Sequence, residues 1–260
     1  MKTGGISFWW LTFSNEARFA LTMLRRYLFD TLVGLLAVYL LFMVVFLGLR
    51  TFLAGDMAAD QLDMVVVGYI MWMFAVLAYS ATAESIIDEA RQGTLEQLVM
   101  APAGLGRLLI VRMLVSLIAT IAFNTSLLFL AMFSTGRWLE IPYLHSLGII
   151  LLGLPAVHGL GFAIAGIALV HKRVGAVSSI MQFVLLAFVS LPAWPMNALS
   201  LLPFTAAANS VNQLVTQQTE FPLWWYGFIL LNGLFYLMAG LLVFRYFEAR
   251  AKSLNVLGHY

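Results

Sequence analysis

Six separate stretches of this chain run for close to twenty residues with almost no charge, and nothing else in the sequence constrains its fold as strongly. They are 27–49, 64–83, 108–133, 147–170, 174–191 and 224–247. Crossing ~30 Å of hydrocarbon at ~1.5 Å per residue takes roughly 20 mostly apolar residues in helical form. Inside lipid a backbone has only its own groups to bond with, so such runs must be helices. Composition excludes the alternatives. With 62% hydrophobic and 10% charged residues, there are too few charges to clothe a soluble core. Disordered chains are poor in apolar residues, so disorder is excluded as well. The fold class expected is therefore all-α integral membrane, with six transmembrane helices. The first run is too long for the apolar part of a signal peptide, and no small-residue cleavage site follows it.

A seventh stretch, 192–215, is apolar but interrupted by Pro192, Pro195 and Pro203. Proline removes a backbone donor and breaks a continuous helix. Broken backbone facing lipid is costly unless protein or water covers it. The stretch reads as a re-entrant or surface-lying helical hairpin on the outer side. Charge bias supports six spans. With both chain ends on one side, twelve of the fourteen basic residues fall on that side, and only Arg50 and Arg137 lie opposite. The positive-inside rule then places both termini in the cytoplasm. Net charge is only +2, which gives no reason to expect a nucleic-acid partner. The absence of cysteine removes disulfides, thiolate metal sites and cysteine nucleophiles together.

Before the first span, Trp10, Phe13, Ala17, Ala20, Leu21, Leu24 and Leu28 recur in three- and four-residue steps. Asn15, Arg18, Thr22, Arg25 and Arg26 form the opposite face. An apolar stripe facing a basic one predicts a helix over 5–26 lying in the membrane interface. Asp30, four residues after Arg26, reads as a local ion pair. The strongly polar cytoplasmic connection is 84–107, between the second and third spans. Gly93 is suited to end a helix running out of the second span. Thr94 and Gln97 fit a capping box for a short helix over 95–100, with Leu95, Leu98 and Val99 as its apolar edge and Glu96 near its N-terminus. Pro102 blocks further extension.

The string Asp88, Glu89, Arg91, Gly93, Thr94, Leu95, Glu96, Gln97, Leu98, followed by Pro102, resembles the coupling segment of permease subunits of type-2 ABC exporters. The interfacial N-terminal helix, the six spans, the cytoplasmic ends and the hairpin before the last span resemble that family too. So does Pro203-Phe204-Thr205, similar to its Pro-x-Thr. The stretch Leu191 to Pro195, which includes Trp194, departs from the commoner hairpin pattern. The resemblance implies a homodimer seated on two separate ATPase subunits. ATP and magnesium would be held by those partners, and the segment from Gly93 to Leu98 would dock in a groove on the ATPase. It also implies export across a plasma membrane, the inner membrane in a bacterium. Independently, the sequence has no phosphate-cradling Gly-x-x-x-x-Gly-Lys-Ser/Thr loop, and no cofactor or metal is expected on this chain.

Polar residues inside spans are functional suspects, although many simply join helices. Asn124, His158, Gln182, Trp194 and Asn232 are the candidates for a substrate path, each also readable as packing. His158 sits among Gly153, Gly159 and Gly161 and reads first as a packing hydrogen-bonder. Trp224, Trp225 and Tyr226 read as an outer aromatic belt. An intramembrane enzyme is disfavoured, since no serine, metal or paired-carboxylate motif is present and no catalytic residue emerges. A secondary transporter or channel without an ATPase is the alternative, and it requires charge within the spans. The second span is expected to end at Ala83, which leaves every acid at or beyond span ends. The reading favoured is export of an apolar or amphiphilic substrate of the drug, lipid or lipid-linked glycan class.

Overall fold

A computed structural model describes residues 5–52, 59–92, 105–171 and 174–253. Among these residues are eight α-helices, one 3-10 turn and no strand. The helices are α1 (Gly5–Arg26), α2 (Leu28–Phe52), α3 (Ala59–Gln92), α4 (Leu105–Thr135), α5 (Tyr143–Val170), α6 (Gly175–Ser190), α7 (Thr205–Gln217) and α8 (Leu223–Ser253). The 3-10 turn is Ala198–Leu201. Five helices, α2, α3, α4, α5 and α8, are long and apolar enough to cross a membrane. The architecture is that of an all-helical, multi-pass membrane protein.

The remaining apolar run, expected over 174–191, is a helix of 16 residues. At ~1.5 Å per residue it spans ~24 Å, less than the ~30 Å of a typical hydrocarbon core. Leu191 leaves the helix in an extended conformation, as the residue before Pro192 is biased to do. In the opposite direction, α3 does not stop at Ala83 but runs to Gln92. Its apolar stretch, Leu62–Glu89, therefore contains Glu84 and Asp88. These two acids lie within the helix that carries the second span, not beyond it.

At the centre, α5 packs against α8 backbone to backbone. Gly159 and Gly166 on α5, and Gly233 and Gly240 on α8, lie on this seam, each pair seven residues apart, or about two helical turns; Gly159 opposes Gly240, while Gly166 meets Phe244 and Gly233 meets Leu152. A Cβ on Gly233 would lie 2.7 Å from the Leu152 carbonyl oxygen, and one on Gly166 would lie 2.8 Å from the Phe244 Cα. At Gly159 and Gly240 an added Cβ would meet the opposing carbonyls of Tyr236 and Gly159. Small residues allow this approach, and in lipid the close packing itself is the main attraction between helices. The relevant spacing is therefore seven residues, not the interval from Gly161 to Gly166. Gly161 packs instead on α3, where its Cβ would meet Thr82.

One turn of α3 secures two neighbours. The Tyr69 hydroxyl donates to the Val38 carbonyl of α2 at 2.7 Å, and the Trp72 indole donates to the Gln182 carbonyl of α6 at 3.0 Å. Phe42 and Phe46 are the buried side chains of α2; Leu35, Val38, Tyr39 and Met43 are half-buried against the core, and most of the remaining side chains are exposed. A single residue, Tyr27, divides α1 from α2. Arg26 lies over the Tyr27 ring, 5.7 Å from its centroid. No ion pair joins Arg26 to Asp30. The expected i,i+4 contact fails because the turn at Tyr27 takes the two residues off one helix.

Between α6 and α7 the chain is not helical until Ala198. Asn197 caps the 3-10 turn: its Oδ1 accepts from the amides of Leu199 (2.8 Å) and Ser200 (3.2 Å). The Ser200 hydroxyl accepts from the Asn197 amide and donates to the Ala193 carbonyl at 2.6 Å. Pro192 and Pro195 sit in this irregular stretch, and Pro203 precedes Phe204, whose φ of 66° begins α7. Protein covers this backbone only in part: Ala193, Ser200, Pro203, Phe204 and Thr205 are buried, whereas Pro192, residues 195–199 and Leu201 are exposed. α7 is 13 residues long and buries Thr205 to Ala208, Ser210, Val211 and Leu214.

Candidate functional site

The α3–α4 pair is the part of the fold from which the polar connection springs. Both helices exceed the thickness of a hydrocarbon core: α3 has 34 residues and α4 has 31, ~51 and ~46 Å by helical rise. Near the start of α4, Arg112 reaches two carboxylates on two other helices. Its Nη1 lies 3.1 Å from Glu89 Oε1 on α3, and its Nε lies 3.5 Å from Glu16 Oε2 on α1. All three side chains are only about one-fifth exposed, at 21%, 20% and 17%. One guanidinium, with several donors in a fixed fork, thus joins α1, α3 and α4 at the end where 93–104 connects them. At the opposite end Arg137 pairs with Asp63 at 2.6 Å.

Of the coupling residues proposed from sequence, Asp88 and Glu89 are placed on the last turns of α3, Asp88 exposed and Glu89 half-buried. Arg91 is helical. Gly93, Thr94, Leu95, Glu96, Gln97, Leu98 and Pro102 lie outside the described residues. Sequence reasoning missed Glu16 and Arg112. The available signal was a lone arginine two turns into an apolar helix, a position that demands a counter-charge.

A cleft of about 460 Å³ lies along the same seam, lined by Glu84, Asp88 and Ser80 on α3 and by Ser116, Thr120 and Phe123 on α4. Glu84 accepts a hydrogen bond from Gln182 Nε2 of α6 at 3.2 Å. Among the described residues there is no group of three or more histidines or acids placed to hold a metal ion.

The five substrate-path candidates do not converge. Gln182 is Glu84's partner. His158 is 1% exposed, with Nδ1 2.9 Å from the Thr82 hydroxyl and Nε2 unpartnered, deep at the α3–α5 contact. Asn232 donates to the Leu201 carbonyl at 2.9 Å, beside a second donor, the Tyr236 hydroxyl at 3.1 Å, so it fastens α8 to the 3-10 turn. Trp194 also serves that segment. Its amide donates to Asn209 Oδ1 at 3.0 Å, and its ring packs 4.9 Å from that of Trp225 and 5.5 Å from that of Phe221. Only Asn124 faces a cavity in the bundle.

The aromatic belt needs a correction. Trp224 is exposed, but Trp225 is fully buried and donates to the Ser210 hydroxyl of α7 at 2.7 Å. Helical rotation by ~100° per residue turns one indole outward and the next inward. The Tyr226 hydroxyl meets His145 Nε2 at 2.9 Å beside a cleft that also holds Glu140 and Glu220. Compared with known proteins, the chain matches no family model and no curated protein.

Proposed function

We propose that this chain is the transmembrane permease subunit of an ATP-binding-cassette exporter. It moves an apolar or amphiphilic substrate out of the cytoplasm, driven by ATP hydrolysis on a separate subunit. The observation that carries the reading is the α3–α4 connection. A segment bounded by Gly93 and Pro102, whose sequence matches the family's coupling register, joins two helices that outrun the bilayer, and Arg112 ties their bases to α1. Force applied to 93–104 by an ATPase is then delivered to three helices together. In this reading α6 is the fifth of six spans, and its shortness is accommodated by local thinning of the bilayer. Both termini are cytoplasmic, two copies form a homodimer, and two ATPase subunits bind beneath in the plasma membrane. The segment 192–215 stays on the outer side without crossing.

The test is to look for a P-loop ATPase encoded next to this chain, co-express the candidate ATPase with it, and purify through a tag on this chain. The ATPase should co-purify, and Leu98→Glu should abolish its retention by placing an unpaired charge in an apolar groove. Retention unchanged in Leu98→Glu and in Thr94→Ala would remove the coupling assignment. One observation favours the second reading, an ion-coupled transporter: Glu84 lies within the apolar stretch of α3, with a neutral amide as its partner. Transport that survives ATP depletion but stops on collapse of the proton gradient, and stops also in Glu84→Gln, would decide for it.

A further inference from the structure

The 460 Å³ cleft between α3 and α4 differs from one end to the other. The two helices run antiparallel, with Glu89 opposite Arg112 at one end and Asp63 opposite Arg137 at the other. Counting from the first pair, Leu77 is twelve residues back along α3 and Phe123 eleven residues on along α4. These two apolar side chains therefore close one end of the cleft, and Asp88 stands at the other, ~16 Å away by helical rise. Glu84 lies between, on the same face of α3 as Ser80, one turn away. Its carboxylate accepts from the Gln182 amide, and no cation pairs with it among the described residues. No lysine, arginine or histidine lines the cleft among those residues either. Glu84 thus holds a negative charge and spare lone pairs inside an apolar stretch, answered only by a neutral amide. Across from it, Thr120 of α4 is 5% exposed and lines the cleft. Its hydroxyl has no partner among the described residues, yet it is not sealed, and the open space beside it is this cleft. The Ser80 hydroxyl, on the facing wall, is unpartnered among them as well.

We propose that this cleft binds a primary amine carrying an apolar chain, with the ammonium at Glu84 and the chain running toward Leu77 and Phe123. An alkylammonium brings one positive charge and three N–H donors. Glu84, Ser80 and Thr120 line the cleft with the counter-charge and three accepting groups. An alcohol would leave the charge of Glu84 unanswered, and a quaternary ammonium has no N–H to donate. An anionic head would meet Glu84 with no cation to offset it. That the bound amine is cargo rests on the exporter reading; its binding does not, since the site belongs to one protomer and needs no ATPase.

The experiment uses the full chain in phosphatidylcholine nanodiscs, without ATPase. The probe is a long-chain primary amine with a diazirine in its tail, and crosslinked peptides are located by mass spectrometry. Crosslinks are expected near Leu77 and Phe123, competed by decylammonium and much less by decanol or decyltrimethylammonium. Glu84→Gln should lower labelling about tenfold or more and Thr120→Val about threefold, since hydrogen bonds to a charged group are the stronger kind. Asp30→Asn, which removes an acid outside the cleft, should label like wild type. Thermal unfolding checks the fold of each variant. If Glu84→Gln does not fold, Thr120→Val and the competitors decide. Equal competition by decanol or decyltrimethylammonium would overturn the proposal, as would wild-type labelling in either folded cleft variant. An equal loss in Asp30→Asn would overturn it too, by reducing the effect to attraction by surface charge. None of these results bears on ATPase co-purification, so the site and the exporter reading fail separately.

Discussion

The α5–α8 seam and the α3–α4 seam are built on opposite principles. In the first, glycines at 159, 166, 233 and 240 bring two backbones close together, so that main chain makes much of the contact. In the second, contact is made by long side chains: Arg112 with Glu89 at one end and Arg137 with Asp63 at the other. Between those ends lie the 460 Å³ cleft and the smaller cavity at Asn124. Packed backbones have one arrangement, whereas ion-paired side chains over cavities have several of similar energy. The comparison assigns rigidity to α5–α8 and the capacity to change shape to α3–α4, the pair that carries the polar connection.

The largest expected effect comes from breaking the rigid seam. Gly240→Val forces a branched side chain into the Gly159 carbonyl, and neither backbone has room to yield. Overpacking ordinarily costs ~1–3 kcal/mol, and a clash with main chain belongs at or above the top of that range. Detergent-solubilised protein should lose its monodisperse peak, or unfold roughly 6–12 °C lower or more, at the ~2–4 °C per kcal/mol typical of chains this size. Gly148→Ala on the same α5 has open space around it, nothing within 4 Å, and should unfold at the wild-type temperature or slightly above. Equal behaviour of the two variants would mean that α5 and α8 are not in backbone contact.

Next in size is Arg112→Ala. Removing it leaves Glu16 and Glu89 mostly covered and without their shared cation. Breaking a fully buried pair costs ~3–5 kcal/mol, and one-fifth exposure reduces this to about 1–2 kcal/mol. A double-mutant cycle with Glu89→Gln should show a coupling of at least ~1 kcal/mol. Additive effects would remove Arg112 as the tie between α1, α3 and α4.

The same two seams differ in how far they could be read in the sequence. The apolar runs fixed five long helices because length and lack of charge leave lipid-spanning helix as the physical solution. Three prolines marked the irregular 191–204 stretch for the same kind of reason, through missing donors. On α8 the buried residues Trp225, Ile229, Gly233, Gly240 and Phe244 follow steps of four and seven. That stripe was legible, and it turns Trp225 inward and picks out the packing glycines. Arg112 was legible only as a charge, because Glu16 and Glu89 come to it from two other helices through tertiary packing. Asn124 looked like every other intramembrane amide; only the cavity beside it, made by four helices, separates it from Asn232.

A smaller effect distinguishes the two neighbouring indoles of α8. Trp225→Phe removes the hydrogen bond to Ser210 and leaves that hydroxyl buried, an expected loss of about 1–2 kcal/mol. Trp224→Phe, on the exposed side, should change thermal stability by less than ~0.5 kcal/mol. Equal losses would return both residues to a surface belt and detach α8 from α7.

The smallest effect belongs to Asp30, at the start of the outward-facing α2. It lies four residues from Arg26, a spacing that in one continuous helix gives a pair worth ~0.3–0.5 kcal/mol. Here Tyr27 intervenes, and Arg26 lies over that ring instead. Asp30→Asn should therefore leave the unfolding temperature unchanged, and Asp30→Asn with Arg26→Gln should show no coupling beyond measurement error. The contrast with Arg112 is the informative part. Both positions place an arginine near a carboxylate close to the end of an apolar helix, but only at Arg112 do other helices exclude solvent from the pair. A measured coupling between Arg26 and Asp30 comparable to that at Arg112 would mean that α1 and α2 form one unbroken helix through Tyr27. Arg112 would then hold a single long helix against α3 and α4, and α1 would no longer be a separate element that the connection could move.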